Sequence, residues 1–165
     1  MSESFTFVNG GVCAAKGFVA NGLNCGLNKT KEKFDLGMVY SATPCHAAAV
    51  YTTNKVKGAP ILVTKKNLEK SGNKSIAVIA NSKNANTCNA DGLEKAEAMC
   101  ELLAKELNIP KEQVIVASTG VIGQILPIEP IKTGIPKLVK ELDYNKNIEA
   151  ATAIMTTDTV KKNMR

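Results

Sequence analysis

Tryptophan is missing from this 165-residue chain, and aromatic residues of all kinds make up only 4%. That scarcity removes the stacking platforms on which single-stranded nucleic acids are held. The net charge of +6 is densest at "KEKF", "TKKNLEK" and "VKKNMR". These stretches are scattered and accompany no reader motif, so they read as a solvated basic surface with no nucleic-acid partner. Attraction of small acidic substrates is compatible with that charge. No apolar run approaches membrane length, and "MSESFTFVNG" has neither a basic n-region nor an apolar h-region.

Histidine is nearly absent too. His46, in "TPCHAAAV", is the single example. A metal site calls for several His, Cys or carboxylate ligands, so His46 reads as structural and no metal is expected. A Ser-His-Asp or Cys-His mechanism would have to run through this one residue, and no G-x-S-x-G nucleophile elbow occurs. Cys13, Cys25, Cys45, Cys88 and Cys100 form no C-x-x-C and no regular framework, which reads as free thiols in a reducing compartment. The expectation is a soluble cytoplasmic protein. Hydrophobic residues at 44% against 22% charged allow a buried core, and the length suits a single domain over residues 1–165.

The opening third, "NGGVCAAKGFVANGLNCGL", reads as extended pieces joined by turns at Gly10-Gly11 and Asn21-Gly22, the start of an antiparallel sheet. "DLGMVYSA" and "AAAVYTTN" predict two strands linked through Thr43-Pro44. "VTKKNLEKSG" predicts a short helix ended by Gly72, and "SIAVIAN" a strand buried on both faces. In "DGLEKAEAMCELLAKELN", Leu93, Ala96, Cys100, Leu103 and Leu107 follow the three-and-four spacing of one buried helical stripe, and Pro110 ends it. With the strand "QVIVAS" this makes a strand, helix, strand crossover. Further helices are expected within Glu129 to Leu142 and within Asn145 to Met155. The pattern belongs to the α/β class.

Three short stretches carry candidate chemistry. "STGVIG", residues 118–123, leaves a strand with glycines at Gly120 and Gly123, which permit backbone conformations that aim consecutive N–H groups at an anion. It lacks the spacing and the lysine of a phosphate loop, which leaves a turn and an oxyanion site. "NSKNANTCN", residues 81–89, packs four asparagines into nine positions, suited to a structured strand-to-helix connection or to a ligand loop, with Asn89 or Asp91 placed to cap the helix. "MTTDT", residues 155–159, offers hydroxyls to a substrate or to a turn.

Taken in order, "AAKGF", "VYTTNKVKGAP", "ANSKNANTC", "ASTGVIGQILPI" and "AIMTTDT" resemble the ornithine acetyltransferase family, also called glutamate N-acetyltransferase. The resemblance implies a layered α/β sandwich with helices outside paired sheets, of which this chain is an incomplete amino-terminal part. It implies an enzyme of arginine biosynthesis that cuts itself into α and β chains, exposing a threonine that takes acetyl from N-acetylornithine and passes it to glutamate. Some members also use acetyl-CoA. A hydroxyl beside its own amine is a recognised nucleophile of this kind. By the same resemblance Thr119 and Gly120 supply the oxyanion hole and Thr156 contacts substrate. The carboxy-terminal β chain is the implied partner, in a hetero-oligomer, and no prosthetic group is implied. The matching nucleophile falls outside these residues, so the isolated chain is expected to be inactive. Ala15 stands where proline is usual, Lys83 where glycine is usual, and Gln124-Ile125 where Arg-Pro is common. A non-catalytic amino-acid-binding module and a self-processing amidase or peptidase are the alternative readings.

Overall fold

The computed structural model describes Thr6 and residues 8–158. After a single 3-10 turn at Gly11–Cys13 the chain forms β1 (Phe18–Leu23), β2 (Leu36–His46), α1 (Ala59–Lys70), β3 (Lys74–Asn81), α2 (Gly92–Leu107), β4 (Val114–Ser118), α3 (Ile128–Lys140) and α4 (Asn147–Ala153). Among the described residues the strands make one sheet in the order β1-β2-β3-β4. β1, β2 and β3 pair antiparallel, while β3 and β4 pair parallel through the α2 crossover. The expected α/β layering and crossover are both present.

One face of the sheet carries the core. Leu36, Met38, Ala77, Ile79, Val114 and Val116 project from alternate strand positions. They meet Val63 of α1, Met99 and Leu103 of α2, and Ile131, Ile135 and Leu138 of α3 in one buried cluster. In α2 the stripe is carried by Met99 as well as Ala96, Cys100 and Leu103, whereas Leu93 at its start is exposed. α1 begins at Ala59, four residues before the sequence pattern suggested, because Pro60 fits a first helical turn whose N–H groups have no partner within the helix.

Three strand readings are corrected. Asn21-Gly22 is no turn but the middle of β1. Asn21 donates its side-chain amide to the Leu138 carbonyl at 2.9 Å, and Gly22 faces the other side, where its missing side chain lets the α4 backbone approach. "AAAVYTTN" is not a strand. β2 runs through Thr43-Pro44 in a stretch where its register on β3 jumps between Tyr40 and Cys45, so the missing proline N–H breaks no ladder bond. Pairing then ends at His46 opposite Lys74, where β3 begins, and after the Ala47 N–H to Asn73 carbonyl bond the chain runs exposed. β3 is not buried on both faces either: its residues alternate, with Val78 and Ala80 only half-covered.

That second face is occupied by α4 over β1 and β2 alone. Gly22 and Gly37 are register partners on the two strands. A Cβ on Gly22 would lie 2.1 Å from the Glu149 carbonyl oxygen, and one on Gly37 would lie 3.0 Å from the Ala153 methyl. Farther along, Val39, Val78, Ala80 and Ala117 floor an open apolar cavity of about 770 Å³.

The two glycines predict unequal effects. Gly22→Ala drives a methyl group to 2.1 Å from α4 backbone and must push α4 off the sheet, lowering stability by about 2–3 kcal/mol, whereas Gly37→Ala meets the Ala153 methyl at 3.0 Å and the Ala150 carbonyl oxygen at 3.2 Å and should cost about 1 kcal/mol. Urea unfolding of both variants, with proteolysis across residues 143–158 as the local readout, checks the order.

Candidate functional site

Parallel strands end on the same side of a sheet, so the loops that leave β3 and β4 emerge side by side. Asn81 and Ser118, the last residues of the two strands, are register partners. Pairing continues past them irregularly: Thr119 N–H donates to the Asn81 carbonyl at 2.9 Å, Val121 N–H to Lys83 at 3.2 Å and Gly123 N–H to Thr87 at 2.9 Å, while Ala85 N–H donates to Val121. Residues 119, 121 and 123 therefore turn their N–H groups toward the asparagine loop. Alternation sends the N–H of Gly120 the other way, toward the free edge of the sheet. Farther back along that edge the Val116 N–H and carbonyl are closed by Thr64 Oγ1 of α1, at 3.1 and 2.9 Å. Gly120 has no such cover: its N–H meets no acceptor among the described residues.

Gly120 is held at φ +132°, in a region that disfavours side chains. A Cβ there would lie 2.3 Å from the Lys83 carbonyl carbon and 2.5 Å from the Asn84 nitrogen. Glycine is thus required twice, by its dihedral and by the backbone it rests on. Thr119 is half-buried and lines the apolar cavity. With its N–H taken up by Asn81, its hydroxyl is the group left free, since Oγ1 has no partner among the described residues. The two positions singled out by sequence thus offer two donors of different kinds, one hydroxyl and one backbone N–H.

The asparagine loop is a clamp built from its own amides, which is the structural reading of the two that the sequence left open. Asn81 Nδ2 donates to the carbonyls of Ser82 and Asn84, at 3.0 and 2.9 Å. Asn84 Nδ2 reaches the Gln124 and Ile125 carbonyls at 3.0 and 3.3 Å, and Asn89 Nδ2 reaches Gln124 at 2.6 Å. Asn86 donates to the Gly92 carbonyl at the start of α2. Asp91 occupies the cap position of α2 but makes no capping bond with its side chain. Lys83 sits at φ +76°, a conformation natural to glycine and strained for lysine. A second buried anchor, Asp35, accepts the N–H groups of Cys25 and Asn28 at 2.7 and 2.6 Å, and its carbonyl takes the Ser82 N–H.

Thr156 is exposed, two residues beyond Ile154, which lines the same cavity as Thr119. Thr156 itself does not line it, and Thr159 lies outside the described residues. His46 is exposed at the end of β2 and away from the cavity lining. Among the described residues no group of three or more His, Cys, Asp or Glu side chains could hold a metal ion. Among the described residues no helix is long and apolar enough to cross a membrane. Burial pushes the Cys100 thiol up to about 12, and burial together with the Asp35 carboxylate does the same to Cys25. Both stay protonated at neutral pH and are poor nucleophiles. Sequence reasoning missed the bond from Ser118 Oγ to Asn81 Oδ1 at 2.6 Å and the Asn84 bridge to Gln124, because these partners lie some forty positions apart and leave no local pattern.

Residues 19–165 match the ArgJ family. Among curated proteins, the chain is 49% identical over 146 residues to Arginine biosynthesis bifunctional protein ArgJ 1 of Clostridium acetobutylicum, covering 88% of this chain and 35% of that protein. It is 41% identical to Arginine biosynthesis bifunctional protein ArgJ of Staphylococcus aureus, over 94% of this chain and 37% of that one. The chain thus spans little more than a third of the length of these relatives. Among solved structures, Arginine biosynthesis bifunctional protein argJ from Bacillus halodurans superposes with a TM-score of 0.85 at 40% identity, covering 92% of this chain and 78% of that one. Ornithine acetyltransferase complexed with ornithine, from Mycobacterium tuberculosis, gives 0.84 at 37% identity, covering 91% and 81%.

The loop geometry makes opposite predictions for two neighbouring positions. Lys83→Gly relieves a positive φ and should raise stability by about 0.5–1 kcal/mol. Gly120→Ala drives a methyl group into the Lys83–Asn84 peptide and should lower it by about 2 kcal/mol or more. Thermal unfolding of the two variants tests both.

Proposed function

The chain belongs to the ArgJ family, and we propose that it forms the oxyanion side of a glutamate N-acetyltransferase active site within a longer polypeptide. The reaction moves acetyl from N-acetylornithine to glutamate in arginine biosynthesis. The reading rests on one observation above the others: the Thr119 hydroxyl and the Gly120 N–H, adjacent in the chain, are both unengaged while the N–H groups on either side of Gly120 are taken up. Two adjacent donors, one of them lining an open apolar cavity, suit a negative charge that exists only in passing.

The chemistry follows from that placement. A threonine supplied from outside these residues by self-cleavage attacks the acetyl carbonyl, its own α-amine taking the hydroxyl proton. The carbonyl oxygen becomes an oxyanion and receives hydrogen bonds from Thr119 Oγ–H and Gly120 N–H. Collapse of the tetrahedral species breaks the C–N bond, ornithine leaves with the proton, and the threonine is left acetylated. The neutral glutamate amine then attacks the same carbonyl carbon, and the oxyanion forms again on the same two donors; its collapse breaks the ester C–O bond, a proton from the attacking amine passes to the threonine oxygen, and N-acetylglutamate leaves with the threonine restored. Acetyl-CoA would enter as a second acetyl donor and not as a resident group. Thr156, two residues beyond the cavity-lining Ile154, contacts the amino-acid part of the substrate; the M. tuberculosis relative is solved in complex with ornithine. The carboxy-terminal β chain supplies the nucleophile and covers the open apolar face in a cytoplasmic hetero-oligomer.

The test is Thr119→Ala in the full-length polypeptide. Loss of one preorganised donor should lower kcat roughly a hundredfold, equivalent to about 2.7 kcal/mol, with KM for N-acetylornithine changed far less. Processing into two chains should be monitored in parallel by gel, because self-cleavage also passes through an oxyanion. A fully processed, normally folded variant with wild-type kcat would return the loop to the role of a turn.

A further inference from the structure

Asn81 is wholly buried, with 0% exposure, yet every polar group on its side chain is directed at the two loops of the site. Nδ2 holds the Ser82 and Asn84 carbonyls at 3.0 and 2.9 Å, Oδ1 accepts from Ser118 Oγ at 2.6 Å, and its main-chain carbonyl accepts the Thr119 N–H at 2.9 Å. One residue therefore ties the start of the asparagine loop to the end of β4. Each bond has a consequence for the donors. The bond to Thr119 N–H fixes the alternation that turns the Gly120 N–H outward and leaves Thr119 with its hydroxyl alone. The bond to the Asn84 carbonyl fixes the residue whose nitrogen, with the Lys83 carbonyl, lies directly beneath Gly120. The bond from Ser118 sets the strand end from which Thr119 departs.

We propose that Asn81 is the positioning residue of the oxyanion hole. It acts by holding Thr119 Oγ and Gly120 N–H in register with each other. This rests on the reading of Thr119 and Gly120 given above. A carboxamide is needed because the site asks for two donors and one acceptor within one planar group; aspartate keeps the shape and the acceptor but sets an oxygen against two carbonyls. Ser118 is the lesser half of the same device, contributing one bond.

The experiment is a kinetic cycle on the full-length polypeptide with Asn81→Asp, Ser118→Ala, Thr119→Ala and the doubles with Thr119→Ala, each checked by circular dichroism and melting. Asn81→Asp should lower kcat about thirtyfold or more and Ser118→Ala about three- to tenfold, both with KM for N-acetylornithine within about threefold. In the Thr119→Ala background each should cost less than the product of the separate effects, since part of what it positions is gone. If Asn81→Asp fails to fold, the Ser118→Ala pair carries the same test. Normal kcat in the folded single variants, or fully multiplicative effects, overturns the positioning role. Normal kcat in Thr119→Ala overturns the oxyanion reading itself, which separates the two failures.

Discussion

The contact of the Gly120 α-carbon with the Lys83–Asn84 peptide is the constraint on which the rest of the site depends. Two chains approach there so closely that a methyl group would have no room, with carbonyl carbon and amide nitrogen 2.3 and 2.5 Å from where it would sit. The approach is possible because β3 and β4 are parallel and end in register at Asn81 and Ser118. Loops leaving parallel strands at their carboxyl ends share one edge of the sheet, which is where α/β proteins assemble their sites. The isolated pairing of Asn84 with Val121 shows the two loops continuing the ladder beyond the strands proper. Once the ladder continues, alternation decides which N–H groups are consumed and which remain.

The asparagines supply what regular pairing cannot. Buried loop backbone has unmet donors and acceptors, and each costs free energy unless a partner is found. Water would solve this on a surface, but Asn81, Asn84 and Asn86 have 4% exposure or less. Their amides bond carbonyls of the same loop, of residues 124 and 125 and of the start of α2. The loop is thereby stiff without being regular, and the residue at 83 is driven to a positive φ even though it is a lysine. Stiffness of this kind matters for a site that must present donors already in place, since reorganisation at the moment of reaction would consume their benefit.

The two faces of the sheet show how unequally a chain can spend its apolar residues. One face is closed by α1, α2 and α3 around wholly buried Leu36, Ile79, Met99 and Leu103. The other is covered by α4 where two glycines let it in and where Ala150 meets Ala20 and Cys13, and beyond that lies an open apolar cavity. Thr119, with its unengaged hydroxyl, lines that cavity, and Gly120 follows it in the chain.

How much of this was legible in advance follows from range. The sequence by itself determined the elements whose signal is local: the α2 stripe and the crossover from β3 to β4. Periodicity, helix stops and turn chemistry act over a few residues, so they survive in a string of letters. It also carried the ordered motifs that mark the family. Tertiary structure alone decided that Asn21-Gly22 lies within a strand, because the demand for glycine there comes from α4, well over a hundred positions away. It decided that "AAAVYTTN" stays out of the sheet, because a strand needs a neighbour and β3 begins only opposite His46. It also decided which donors are free: the Thr119 and Gly120 N–H groups are alike in sequence, and only the position of Asn81, brought alongside by the parallel register, turns one inward and leaves the other open.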